Sequence, residues 1–341
     1  MKKYFAIIVT LGVFSACNKA VFDKADLTGV QPDDVFNNES TATLYLNKTY
    51  DLVMPTWPTG IHNTSDESNT TGSTAILYGQ LTQDGVPDLY AASGTGIYAN
   101  IRRTNIMKEG IASGSMPADA KARLNGQNYF LRAYMYFSLV KLYGGVPLVL
   151  HVQDLKNEDL NVPRTKTSAC IDSIVRDLDS CTGLPGSWAT ADKGRIVRGA
   201  ALALKGKVLL FWASPQFNPT NDAARWERAY QANKAAYDTL VKDGYALNPT
   251  FANIFIDESS VNKEPIIIRQ FDQLNKTTTI ENTTRPYSES TAGGGSNQPT
   301  LNVVKAFPMK NGMAPTDAGS GYDAVYYWKR SEERRVGKEC W

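Results

Sequence analysis

The sequence has very little histidine. Its 341 residues hold two, His62 and His151, and nothing near either supplies the base that an activated nucleophile needs. Cysteine is nearly as scarce, with four in all, and no His/Cys cluster has the spacing of a metal site. An excess of one charge is also missing. Thirty-six Lys and Arg against 34 Asp and Glu leave +2, spread along the chain, which gives no electrostatic footprint for nucleic acid. Gly293-Gly294-Gly295 lacks the Gly-Lys-Ser/Thr ending of a phosphate loop. The apolar run Tyr4 to Phe14 is shorter than the roughly 20 residues that span a bilayer. No catalytic residue, metal or cofactor is expected.

What is present starts at the N-terminus. Lys2-Lys3, the apolar run and the small residues Ser15-Ala16 before Cys17 are the parts of a secretory signal peptide. Phe14-Ser15-Ala16-Cys17 resembles a bacterial lipobox, with Phe14 where leucine is usual. That resemblance implies that Cys17 is lipidated and heads the mature chain. The other reading is a plain secretory signal with an incidental cysteine. The expected organisation is a signal peptide over 1–16, an anchor and polar tether over 17–38, a helical domain over 39–330 and a charged tail over 331–341. That tail has no apolar stripe. It reads as foreign sequence, or else as a genuine charged terminus.

Apolar periodicity predicts helices over Glu39–Met54, Tyr98–Lys108, Pro117–Tyr143, Lys166–Asp179, Ile196–Trp212 and Trp226 to about Gly244. The third carries two apolar stripes, Phe130, Ala133, Tyr134, Phe137, Val140 and Leu131, Met135, Leu139, Leu142, so it should be buried among other helices. Ile97, Ile101 and Ile106 are the expected core contacts of the helix before it. Gly144-Gly145 and Pro147 should end the long helix, and Val146–Val149 then reads as a short extended piece. Small residues around Gly206 should let the last two helices approach closely. Ile266-Ile267-Ile268 reads as a strand, and 59–73 and 275–298 read as long loops. Cys170 and Cys181 are eleven positions apart on a helical pattern, hence separated by about 16 Å. A disulfide needs Cα atoms within ~7 Å, so both are expected as small buried hydrophobes. The fold class is mainly α, a superhelix of tetratricopeptide-like pairs with long irregular loops and a few short strands.

Tyr129-Phe130-Leu131-Arg132-Ala133-Tyr134-Met135-Tyr136-Phe137 leading into Lys141-Leu142-Tyr143-Gly144-Gly145-Val146-Pro147 resembles the hallmark helix of the SusD/RagB outer-membrane lipoproteins of Bacteroidetes. Pro163-Arg164-Thr165, Arg198-Gly199-Ala200-Ala201, Trp226-Glu227-Arg228-Ala229 and Pro299-Thr300 are similar to later segments of that family, in the same order. The resemblance implies a non-catalytic lipoprotein, displayed at the cell surface on the outer membrane. It would bind oligosaccharide, or in some members peptide, and act as a lid on a SusC-like TonB-dependent transporter. Members usually run longer, so the chain is expected to be C-terminally truncated after about Arg330.

Sugar binding calls for aromatic faces flanked by amides, carboxylates or Arg. Loop residues of those types are Trp57, Asp66, Glu67, Asn69, Tyr90, Trp188, Arg285, Tyr287 and Gln298. Trp57 stands between Pro55 and Pro58, where it could equally be a packing residue. Two other readings are set beside this one. One is a structural helical-repeat scaffold in envelope assembly. The other is a glycosidase using Asp66-Glu67, although adjacent loop carboxylates are ordinarily just solvated. The anchor is directly testable: a cell expressing the chain should incorporate a labelled lipid precursor into it, and Cys17→Ala should abolish the label. Undiminished labelling of that variant would refute the lipobox.

Overall fold

The protein, seen in a computed structural model, is described at residues 32–55, 65–69, 75, 77–80, 82, 96–154, 156–259, 262–272, 274, 276–278, 282, 285 and 298–326. The signal peptide, Cys17, the loop around Gly293 and the charged tail lie outside these. The chain divides into two units. One is Met1–Leu52, Ala99–Ser187 and Ile196–Gly244; the other is Val53–Tyr98, Trp188–Arg195 and Tyr245–Trp341.

The first unit is helical, as the apolar periodicity requires. The helices α1 (Pro32–Phe36) and α2 (Glu39–Val53) lead into α3 (Ile97–Ser113) and the long α4 (Ala118–Tyr143). They are followed by α5 (Thr167–Asp179), α6 (Arg198–Ala213) and α7 (Ala223–Lys242). Within the expected tether, α1 already joins the body. Phe36 is buried and meets Tyr45 edge-on at 5.2 Å. Gly110 makes room for it, since a Cβ there would come within 2.1 Å of the Phe36 ring. That glycine therefore does not stop α3, which runs to Ser113 rather than the expected Lys108. Ile101, Met107 and Ile111 form its buried row, while Ile97 and Ile106 are half-buried.

Along α4 both stripes are buried, with two exceptions. Tyr134 is half-buried and stacks on Phe130 at 6.5 Å. Leu142 is exposed, although Val140 in the same last turn is fully buried. The helix ends as its two glycines dictate, each for its own reason. Gly144 takes φ +69°, and its N–H reaches the Val140 carbonyl at 3.0 Å; the positive φ favours a residue without Cβ. Gly145 is needed for space: a Cβ there would lie 2.1 Å from the Thr165 carbonyl. Arg164 donates to the carbonyls of Tyr143 and Gly145, placing a cation at the negative end of the helix.

At the centre of the unit Arg132 on α4 forms a two-bonded ion pair with Asp177 on α5, Nε–Oδ2 2.8 Å and Nη2–Oδ1 2.6 Å. The side chains are only 6% and 8% exposed. Burial by itself would lower the guanidinium pKa, but the hydrogen bonds and charge of Asp177 outweigh it and the net shift is upward. Arg132 Nη1 also donates to Asn105 Oδ1 at 2.8 Å and to the Leu150 carbonyl at 3.3 Å. The extended segment 146–152 is held by side chains instead of a neighbouring strand. Tyr136 Oη bonds both the N–H and the carbonyl of Val149. Asn105 Nδ2 donates to the carbonyls of Val149 and His151, and Lys108 to that of Leu150. These bonds satisfy the N–H of Val149 and the carbonyls of Val149, Leu150 and His151.

Cys170 and Cys181 are free and buried, as their spacing implied. Their thiols face the carbonyls of Val146 and Gly126, and burial pushes the Cys181 thiol pKa up. Helices α6 and α7 run antiparallel, with Gly199 facing Leu240 and Gly206 facing Asn233. The Gly206 carbonyl accepts from Asn233 Nδ2 at 3.1 Å. The small-residue row read in the sequence thus allows that close approach.

The second unit is mostly irregular backbone tied by side chains. Among its described residues, Arg269 holds the carbonyls of Met54 and Pro55, Lys193 that of Glu258 at 2.7 Å, and Glu264 the N–H of Asn248 at 2.7 Å. Its regular elements among the described residues include β1 (Ser68–Asn69), α8 (Asn253–Ile256), β2 (Gln298–Pro299) and α9 (Leu301–Ala306). The strand expected at Ile266–Ile268 does not form; Ile266 and Ile267 lie in a bend. A short apolar run does not name a pairing partner: Ile267 is exposed, Ile266 and Ile268 are half-buried, and no strand pairs with them among the described residues.

Asp177→Ala strands a buried guanidinium and should cost about 3–5 kcal/mol in urea unfolding. Asp119→Ala, which breaks the exposed Arg123 pair, should cost far less in the same assay. Equal losses would show that the buried pair is not the stronger constraint. Gly145→Ala, which drives a Cβ into backbone, should cost roughly 1–3 kcal/mol in the same assay.

Candidate functional site

The sequence offers loop residues whose positions its periodicity cannot fix, so the geometry of the second unit decides which of them meet. Strands β1 and β2 form a two-stranded antiparallel ladder, with Ser68 opposite Pro299 and Asn69 opposite Gln298. Two of the expected ligand residues therefore sit side by side, although 229 positions (298 − 69) separate them in the chain. Asp66 and Glu67 precede the ladder and are exposed. The Glu67 N–H donates to Ser65 Oγ at 3.2 Å in a local turn.

Thr300 closes the arrangement. Its N–H donates to the Glu67 carbonyl at 2.9 Å, and its hydroxyl donates to the Asp66 carbonyl. The hydroxyl also accepts from the Val303 N–H at 3.3 Å, capping α9. The result is an exposed edge carrying two carboxylates, Asp66 and Glu67, beside the exposed amide of Gln298, whose backbone pairs with that of Asn69. Such groups can accept from and donate to hydroxyl groups of a ligand.

Trp188 is half-buried, just ahead of the 3-10 turn Thr190–Asp192, and Arg285 is exposed. Both belong to the second unit but lie outside the ladder. Trp57, Tyr90 and Tyr287 fall outside the described residues, as does the lipidation candidate Cys17. Thr300 and Ser65 were not among the expected site residues. The only local signal for Thr300 is a hydroxyl residue directly before a short helix, the position of an N-cap; nothing in the sequence announces its bond to Asp66. Among the described residues no group of three or more His, Cys, Asp or Glu side chains is arranged to hold a metal ion, and no helix is long and apolar enough to cross a membrane.

Comparison with known proteins gives a consistent result. A SusD-like protein of Bacteroides ovatus is 22% identical over 284 residues, covering 80% of this chain and 50% of its own length. The chain thus spans about half the length of that curated relative. A SusD-like protein from Bacteroides fragilis has a solved structure with TM-score 0.71 and 24% identity, over 91% of this chain and 62% of that one. A SusD-like carbohydrate-binding protein of the same species gives TM-score 0.70 and 22% identity, over 88% and 59%. These two likenesses establish the fold. Residues 37–210, just over half of the chain, match the model of a SusD-like family described as starch-binding and associating with the outer membrane, and the chain belongs to that family.

Proposed function

We propose that the protein binds oligosaccharide at the outer membrane, without turning it over, and delivers it to a SusC-like TonB-dependent transporter. The observation that carries this reading is the gathering of Asp66 and Glu67 with Gln298 on one exposed edge, with Asn69 at the paired register position, in a chain whose family is described as starch-binding. Exposed carboxylates and amides are acceptors and donors of the kind that sugar hydroxyls need. Aromatic platforms would come from Trp57, Tyr90, Trp188 and Tyr287, and a further donor from Arg285. Lipidation at Cys17 would hold the chain to the membrane, with 39–330 as its binding body. Peptide, taken by some members of the resembling family, is the other ligand class to test.

The scaffold reading draws on a different observation. On the outer face of α7, Trp226, Tyr230, Tyr237 and Val241 are exposed, as they would be on a surface that engages another protein. Co-purification separates the two: a TonB-dependent barrel supports glycan delivery, and assembly machinery supports the scaffold.

Binding itself is tested by affinity electrophoresis against a panel of soluble starch, other polysaccharides and peptides. Retardation by at least one glycan is expected. Asp66→Ala and Gln298→Ala should each weaken it by about three- to tenfold, the loss of one hydrogen bond to ligand, with helical content unchanged. Silence across every glycan and peptide would overturn the proposal, and turnover of a glycan would replace it with an enzymatic one.

A further inference from the structure

We infer that Thr300 is the positioning residue of this face, a hydroxyl clip that holds the acidic segment Asp66–Asn69 against Gln298. The inference rests on the binding role proposed above for that segment. The N–H and hydroxyl of Thr300 make three bonds: the N–H donates to the Glu67 carbonyl, the hydroxyl donates to the Asp66 carbonyl, and that same hydroxyl accepts from the Val303 N–H. A hydroxyl has one proton to give and lone pairs to receive, so it satisfies both partners at once. Serine shares that capacity, whereas valine has the shape but neither function.

The ladder beyond the clip is weak. It has two residue pairs, and one of the four residues, Pro299, has no N–H to contribute. A two-stranded pairing this short is not stable in isolation. It also joins segments 234 positions apart, Asp66 to Thr300, so a large closure entropy opposes it. The Thr300 bonds lie directly at the end of the ladder and continue it by one residue. They also tie it to α9, whose Val304 N–H bonds the Thr300 carbonyl at 3.1 Å. Losing the hydroxyl removes the Asp66 bond and the cap together, while the rest of the chain keeps its contacts.

The test compares Thr300→Val and Thr300→Ser in the full chain by three measurements: amide hydrogen exchange over 65–69, retardation in native gels containing soluble starch, and the thermal midpoint. Thr300→Val should accelerate exchange in that segment and weaken starch retention by about fivefold, with the midpoint unchanged. Thr300→Ser should behave as the parent. Parental exchange and retention in Thr300→Val would overturn the inference, as would Thr300→Ser matching Thr300→Val. A lowered midpoint in both variants would mark a general stability role and overturn it too. If the parent is not retained by starch while Thr300→Val still exchanges faster and Thr300→Ser does not, the clip stands and the starch-binding reading is what fails.

Discussion

The helical unit is organised around one costly arrangement, the guanidinium of Arg132 buried against Asp177. Removing both charges from water costs several kcal/mol per ion, and only matched geometry offsets that. Here the fork of Arg132 uses Nε and Nη2 on the two carboxylate oxygens and turns Nη1 to Asn105 and the Leu150 carbonyl. The pair therefore fixes three things together: the register of α4 on α5, the orientation of Asn105 on α3, and the course of the strap 146–152. Asn105 then spends its own amide on the Val149 and His151 carbonyls. A displaced α5 would leave all of these groups searching for partners, so the pair acts as a register constraint more than as a source of stability.

Close approach is the second constraint, and it explains where the small residues stand. Gly110 and Gly114 lie against Phe36, Gly145 against Thr165, Gly183 against Ala122, and Gly206 against Asn233. In each case a Cβ would meet another part of the chain closer than 3 Å. Glycine inside a helix costs about 1 kcal/mol relative to alanine, which is tolerable where the alternative is to push a packed element outward. The cation of Arg164 at the end of α4 and the glycine beside it belong to the same device, which turns the chain back on itself after its longest helix.

Much of this was legible from residue order, because helices are written in local periodicity. The stripes of α4, the amphipathic row Ile171-Ile174-Val175-Leu178 and the small residues of α6 all gave elements within a few residues of those observed. The failures share a cause. The helix expected over Tyr98–Lys108 runs on to Ser113, since the partner of Gly110, Phe36, lies 74 positions (110 − 36) away and inside a polar stretch. Ile266-Ile267-Ile268 looked like a strand, since an apolar triplet does not tell whether a neighbouring strand exists to pair with it. The candidate face was half legible. Residue types pointed to Asp66, Glu67, Asn69 and Gln298, but their meeting depends on pairings over more than two hundred positions. Thr300 was visible as part of a family-like segment, and its role was not.

The two units thus divide the physical work unequally, and the division bears on binding. Buried side chains and an ion pair over-determine the helical unit. The candidate face rests instead on two strand pairs, one threonine and a handful of side-chain bonds to backbone. Net, such a hydrogen bond contributes about 1 kcal/mol, so the edge opens at far lower cost than the helical core. A sugar that bridged Glu67 and Gln298 would bind only the closed ladder and would stabilise it by mass action. Order in this segment and affinity for ligand are then two readings of one equilibrium: whatever holds 65–69 to 298–300 beforehand reduces the ordering that the ligand must otherwise supply.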